Sequence, residues 1–228
     1  MSDRLRLTWP DPAAFAARAD RPIRFLAVSD EPDPSLDSPA TRRGIGHVDA
    51  VLGCGDLQPE YLSFVADAFG APLRYVRGNH DVGIAWEHTG PKLLPDPLAD
   101  GRVVEEAGVR LIGFSGSPRY NERGMQVSSF GMWRRVLRAR WAARGAGPLI
   151  VLTHAPPRGV NDDHDLAHRG FTAFRWLAGR LASPLWLHGH TALVRRGLDD
   201  RSERHNGTLF YNCTGATVVE LLPPFEGV

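Results

Sequence analysis

Lysine and cysteine are almost missing from this chain, and so is any long apolar run. Lys92 is the one lysine among 27 basic residues, a bias toward arginine that reflects genomic base composition more simply than phosphate recognition. The two cysteines, Cys54 and Cys213, fall in or beside strand-like segments, which suits a reduced cytoplasmic protein better than a disulfide scaffold. No stretch approaches the length of a membrane span, and residues 1–20 are mixed and charged without the apolar centre of a signal peptide. The net charge of +1 supplies no strong field toward nucleic acid or membrane. A basic stripe interleaved with aromatics, the footprint of nucleic-acid binding, is also missing.

What is present is an ordinary folding composition. The 228 residues are 43% hydrophobic and 23% charged, enough for one large domain with a substantial core. Residues 1–21 read as a mobile or loosely packed lead-in and residues 22–228 as a single domain. Short apolar runs rich in Val, Ile, Leu and Phe predict strands at 23–28, 48–52, 72–76, 102–105, 109–114, 149–152, 185–187, 208–212 and 216–222. Ala107-Gly108 marks a hairpin, and Thr214-Gly215 separates the last two strands. A long loop is expected over 83–100.

Three helices are expected. Over 60–69, Tyr61, Phe64, Val65, Ala68 and Phe69 share one face. Over 128–144, Ser128 or Ser129 caps the start, and Trp133, Val136, Leu137 and Trp141 form the buried side. Arg134, Arg135, Arg138 and Arg140 then read as its solvated face. The third helix covers roughly 172–181. Early strand–helix alternation followed by hairpins predicts an α/β protein with a mixed sheet or two packed sheets.

The chemistry gathers just past the strand ends. Asp30, Asp56, Asn79, His154 and His190 each follow a short apolar run. Polar groups leaving the ends of neighbouring strands converge on one crevice, where α/β folds bind ligands. Two acids, an amide and two imidazoles suit a borderline transition metal rather than calcium or magnesium alone.

The order Asp30, Gly55-Asp56, Gly78-Asn79-His80-Asp81, Thr153-His154, Gly189-His190 resembles the calcineurin-like metallophosphoesterase superfamily over about residues 23–222. The resemblance implies an α/β/β/α sandwich, two packed mixed β-sheets flanked by helices, with two metals at one edge. It implies that one metal takes Asp56, Asn79, His154 and His190. The other metal of that family takes Asp-x-His, the shared aspartate and the last histidine of Gly-His-x-His. Here Pro32 and Ala192 stand where those two histidines belong, leaving Asp30 and Asp56. The expectation is one firm site for manganese, zinc or iron and a second, weakly held ion. His80 is the family position that approaches the leaving oxygen or the phosphate. Asp81 is expected to accept a hydrogen bond from it and fix its tautomer.

The function that follows is a cytoplasmic metal-dependent hydrolase of small-molecule phosphoesters, either monoesters or diesters, in which metal-bound hydroxide attacks phosphorus. A divalent ion offsets the phosphoester charge and lowers the pKa of bound water toward about 7. The alternative, motivated by Pro32 and Ala192, is a catalytically weakened protein that acts by binding metal or phosphate.

Further residues carry two readings each. His188 is a substitute ligand or a strand histidine bonded to a carbonyl, and Glu31 is a candidate oxygen ligand. In the polar loop 160–170, His168 and Arg169 are candidates for phosphate contact; otherwise the loop is surface with aspartate turn formers. Arg119, Tyr120 and Asn121 are candidates for the pocket border. His47, His88 and His205 read as surface histidines.

Overall fold

A computed structural model describes residues 3–91, 93–145, 147–191 and 201–224. In chain order the strands begin with β1 (Asp3–Thr8), β2 (Ile23–Ser29), β3 (Ala50–Gly53), β4 (Leu73–Tyr75), β5 (Val103–Glu106) and β6 (Val109–Phe114). A short pair, β7 (Ser117–Pro118) and β8 (Gln126–Val127), comes next. The last five are β9 (Leu149–Thr153), β10 (Leu185–His188), β11 (Ser202–His205), β12 (Thr208–Asn212) and β13 (Gly215–Leu222). The helices are α1 (Pro39–Ile45), α2 (Pro59–Phe69), α3 (Ile84–Glu87), α4 (Ser129–Ala142) and α5 (Thr172–Ala178). None of the described helices is long and apolar enough to cross a membrane.

One sheet runs β1-β13-β2-β3-β4 and the other β11-β12-β10-β9-β6-β5. Both are mixed: β2, β3 and β4 are mutually parallel, as are β6, β9, β10 and β12, while β13 runs antiparallel to β2. Side chains alternate across each strand, so each sheet buries both faces. Phe25, Ala27 and Leu52 meet Ile150, Leu152, Leu185 and Leu187 between the sheets. Leu26, Val28 and Val51 point the other way, against Leu62 and Val65 of α2. Val151, Trp186 and Phe210 pack against Met132, Val136 and Phe174 of α4 and α5. The result is the expected α/β/β/α sandwich.

Several local expectations change. The first residues are built into the fold: β1 pairs in parallel with β13, and Trp9 and Phe15 are buried in the inter-sheet core. Arg4, Arg6 and Arg24 converge on Glu220 of β13 at 3.2, 2.5 and 2.9 Å, a ladder across three strands that a charge-rich sequence conceals. α4 turns a different stripe inward. Met132, Val136 and Ala139 are buried, while Leu137 and Trp141 are 53% and 72% exposed. The helix carries two apolar stripes, and only the sheet it meets selects one. In α2, Leu62 joins Val65 as a buried residue, with Tyr61, Phe64 and Phe69 half-buried around them. α3 interrupts the expected 83–100 loop. β12 and β13 are not partners; the chain changes sheets at Cys213-Thr214.

Trp9→Ala should therefore cost about 3–5 kcal/mol, the usual range for emptying a buried tryptophan site. The midpoint of denaturant unfolding measures it. A loss below about 1 kcal/mol would return residues 1–21 to the status of a loose lead-in.

Candidate metal centre

Every ligand candidate follows a strand with parallel neighbours. Asp30 leaves β2, Asp56 leaves β3 and Asn79 leaves β4 in one sheet, while His154 leaves β9 and His190 leaves β10 in the other. Asp30, Asp56 and His190 take the left-handed backbone conformation, with φ of 58°, 56° and 70°. For non-glycine residues this conformation is costly and persists where surroundings enforce it, as it does at binding sites. The loops interlock through backbone bonds, Asp30 N–H to Gly55 at 3.0 Å and Gly189 N–H to His154 at 3.0 Å. Two glycines are needed for this closeness. A Cβ at Gly78 would lie 2.1 Å from Asp56 Oδ1, and one at Gly189 would lie 2.0 Å from Ser29 Oγ.

His154 is fully buried, and its Nδ1 lies 2.9 Å from the Cys54 carbonyl. A carbonyl only accepts, so Nδ1 carries the hydrogen and Nε2 faces the centre. Asn79 Oδ1 lies 3.0 Å from that nitrogen, Asp56 Oδ2 3.2 Å and His190 Nδ1 3.0 Å. His190 is oriented in the same way, its Nε2 donating to the Ala167 carbonyl at 2.7 Å. Asn79 Nδ2 donates to the Tyr120 hydroxyl at 3.3 Å, which turns Oδ1 inward. Asp56 Oδ1 accepts the His80 N–H at 2.7 Å. Two nitrogens and two oxygens thus bring lone pairs to one buried point, an arrangement that is unfavourable unless a cation sits among them. The donor set suits zinc, manganese or iron. Imidazoles whose other nitrogen is held on a carbonyl are the usual partners of such ions.

The electrostatics agree. Burial disfavours a charged His154, but the Asp56 and Asp30 carboxylates outweigh it and lift its pKa to about 9. Burial, then the charge of His154, push His190 down to about 3. Burial raises Asp56, yet His154 and the His80 N–H bring it to about 2. When no metal is bound, a proton on His154 supplies the positive charge.

The remaining candidates divide. Asp30, Glu31, His80, Tyr120 and His168 line a cleft of about 210 Å³ over the centre. Asp30 takes the His190 N–H, and burial raises its pKa. The His80 ring is exposed, its Nε2 4.0 Å from Asp56 Oδ2. Asp81, expected to orient His80, instead accepts the Asp56 and Gly78 amides at 3.0 and 2.6 Å. It ties two loops together, and burial lifts its pKa to about 6 against those bonds. His188 is buried beneath the site, with Nδ1 3.0 Å from the Gly189 carbonyl and Nε2 3.3 Å from Asn161 Nδ2. It does not line the cleft. Arg169 bonds the His164 carbonyl and Asn121 bonds Arg123 and Gln126, so neither reaches the cleft. Ala192 lies outside the described residues. The Ala167 carbonyl and Thr214 were not foreseen, because a backbone acceptor and a turn threonine carry no sequence signal.

Comparison with known proteins follows this geometry. A family profile for calcineurin-like phosphoesterases matches residues 37–193. A dimetal phosphatase from Danio rerio is similar in structure, with a TM-score of 0.52 at 11% identity over 86% of this chain and 88% of that one. A conserved uncharacterized protein from Streptococcus pneumoniae, described as a predicted phosphoesterase, aligns with a TM-score of 0.39 at 19% identity, covering 86% and 74%. No curated protein matches the chain.

Because His154 holds a proton up to about pH 9, a metal must displace it at neutral pH. Metal affinity should rise about tenfold per pH unit toward that value and flatten above it. The metal-free fold should show the opposite trend. Its stabilisation by the buried imidazolium is fully present below about 6.5 and is lost as pH rises through about 9. Titration calorimetry across pH 6–10 reads the first effect; a flat affinity profile would show that no proton leaves.

Proposed function

The chain belongs to the calcineurin-like phosphoesterase family, and on that premise we propose that it hydrolyses a small-molecule phosphoester in a metal-dependent reaction. The observation that carries the proposal is the convergence of Asp56, Asn79 and His190 donor atoms on His154 Nε2, within 3.0–3.2 Å. These four residues would hold manganese, zinc or iron, which would supply charge neutralisation at phosphorus and acidify a bound water.

The protein's own groups supply positioning and proton transfer. His80 stands exposed at the cleft wall, where its ring can deliver a proton to the leaving oxygen, while its backbone N–H holds Asp56 in place. The Tyr120 hydroxyl, accepting from Asn79, has its own hydrogen available for a phosphoryl oxygen. His168 lines the cleft with its Nδ1 2.9 Å from Asp165. That hydrogen bond, chiefly, brings the Asp165 carboxyl down to about 2. Asp165 thereby fixes the His168 ring and leaves Nε2 for a phosphate oxygen. Cys54 and Cys213 are both buried and form no disulfide, which fits a cytoplasmic setting.

Purified protein reloaded with manganese should release nitrophenolate from an aryl phosphodiester or monoester, and chelation should abolish it. His154→Ala and Asn79→Ala should each lower kcat/KM by more than the roughly 10–100-fold that an outer hydrogen-bond partner of a metal ligand is worth. No turnover with any of several divalent ions, at protein concentrations that reveal slow enzymes, would count against hydrolysis. Metal bound tightly without turnover would favour a protein that works by binding.

A further inference from the structure

Asp30 is the first residue of the lineage's second metal site, yet its carboxylate is committed to the protein itself. The His190 N–H donates to Oδ1 and Oδ2 at 3.1 and 3.0 Å. Ser29 Oγ donates to Oδ2 at 2.6 Å, and Thr214 Oγ1 makes a longer bond at 3.4 Å. Three of these contacts crowd Oδ2, and Oδ1 shares the same His190 hydrogen, so the protein's own donors set the orientation of the carboxylate. The geometry points to Asp30 as a positioning residue that fixes His190, and to a centre that holds one metal per chain. This inference rests on the metal site proposed above.

Three further observations support it. Donor atoms of Asp56, His154 and His190 all lie within 4.8 Å of one another, and Asp30 is not part of that group. His190 holds its ring from a left-handed backbone at φ 70°, and the carboxylate grips that same N–H. The preceding Gly189 packs so closely that a Cβ would sit 2.1 Å from Asp30 Oδ2. Asp30 thus sets where the His190 imidazole points. Beside it, Pro32 has no donor atom for a metal, and Glu31 is exposed. A ligand's hydrogen-bonded support typically contributes 10–100-fold to metal affinity, which is the role left to Asp30.

Asp30→Asn and Asp30→Ala separate the two roles. Asparagine keeps an oxygen that accepts the His190 N–H but removes the charge a metal would need. Alanine removes both. Metal content after manganese reloading and dialysis, the manganese EPR spectrum and calorimetric affinity are the readouts. The parent protein should bind one ion with the spectrum of isolated manganese. Asp30→Asn should still bind one, with affinity within a fewfold. Asp30→Ala should bind one about 10–100-fold more weakly. Two ions in the parent, with one lost in Asp30→Asn, would overturn the inference and leave the hydrolase reading intact. Asp30→Asn as weak as Asp30→Ala would also overturn it, by making the charge a ligand. No metal in the parent would instead overturn the metal site itself, and this inference with it. If Asp30→Ala does not fold, the parent and Asp30→Asn counts decide the matter alone.

Discussion

Repulsion among lone pairs at one buried point governs this structure. His154 Nε2 has two oxygens and another imidazole nitrogen within 3.0–3.2 Å, at the floor of the cleft where the His154 ring is fully buried. In a low-dielectric interior such a cluster is strongly unfavourable until a positive charge enters it. A proton or a metal ion supplies that charge, and the two compete for the same site. The folding energy of the sheets therefore holds together groups that would otherwise separate, and this stored cost is what a cation recovers on binding.

The sandwich is what makes such confinement possible. Inner faces of the two sheets join through Phe25, Ala27, Leu52, Ile150, Leu152 and Leu187, all fully buried. With the sheets fixed face to face, loops leaving β3 and β4 are pressed against loops leaving β9 and β10. Helices on both outer faces bury the alternate side chains, so a slip of one residue would exchange the inter-sheet set with the helix-facing set and spoil the packing of both. The ligands inherit their precision from this register.

Carboxylates act here as much on backbone as on ions. Asp81 joins the Asp56 and Gly78 amides, Asp30 holds the His190 amide, and Asp56 itself accepts the His80 amide. Each bond pins a residue in a strained or tightly packed turn. The carbonyls of Cys54 and Ala167 do the complementary work, taking one N–H from each imidazole and so aiming the other nitrogen inward. The site is a mesh of backbone and acid in which few groups act alone.

Much of this was legible in the sequence for definite reasons. Short continuous apolar runs announced the strands, because sheets buried on both faces demand them, and the residues just past their ends marked where polar groups leave the core. Glycines before Asp56, Asn79 and His190 were visible too, though only the structure shows that Gly78 and Gly189 sit against side-chain oxygens. Other features were decided by tertiary contact. Which stripe of α4 turns inward depends on the sheet it meets, not on its own periodicity. β1 draws its place from pairing with β13, some 210 residues away, and from the three arginines that converge on Glu220. Asp30 and Asp81 look alike in sequence to any metal or catalytic acid; what they bond is fixed by which amides the loops bring within reach. Local chemistry is written along the chain, but partnership between distant groups comes into being only when the two sheets close.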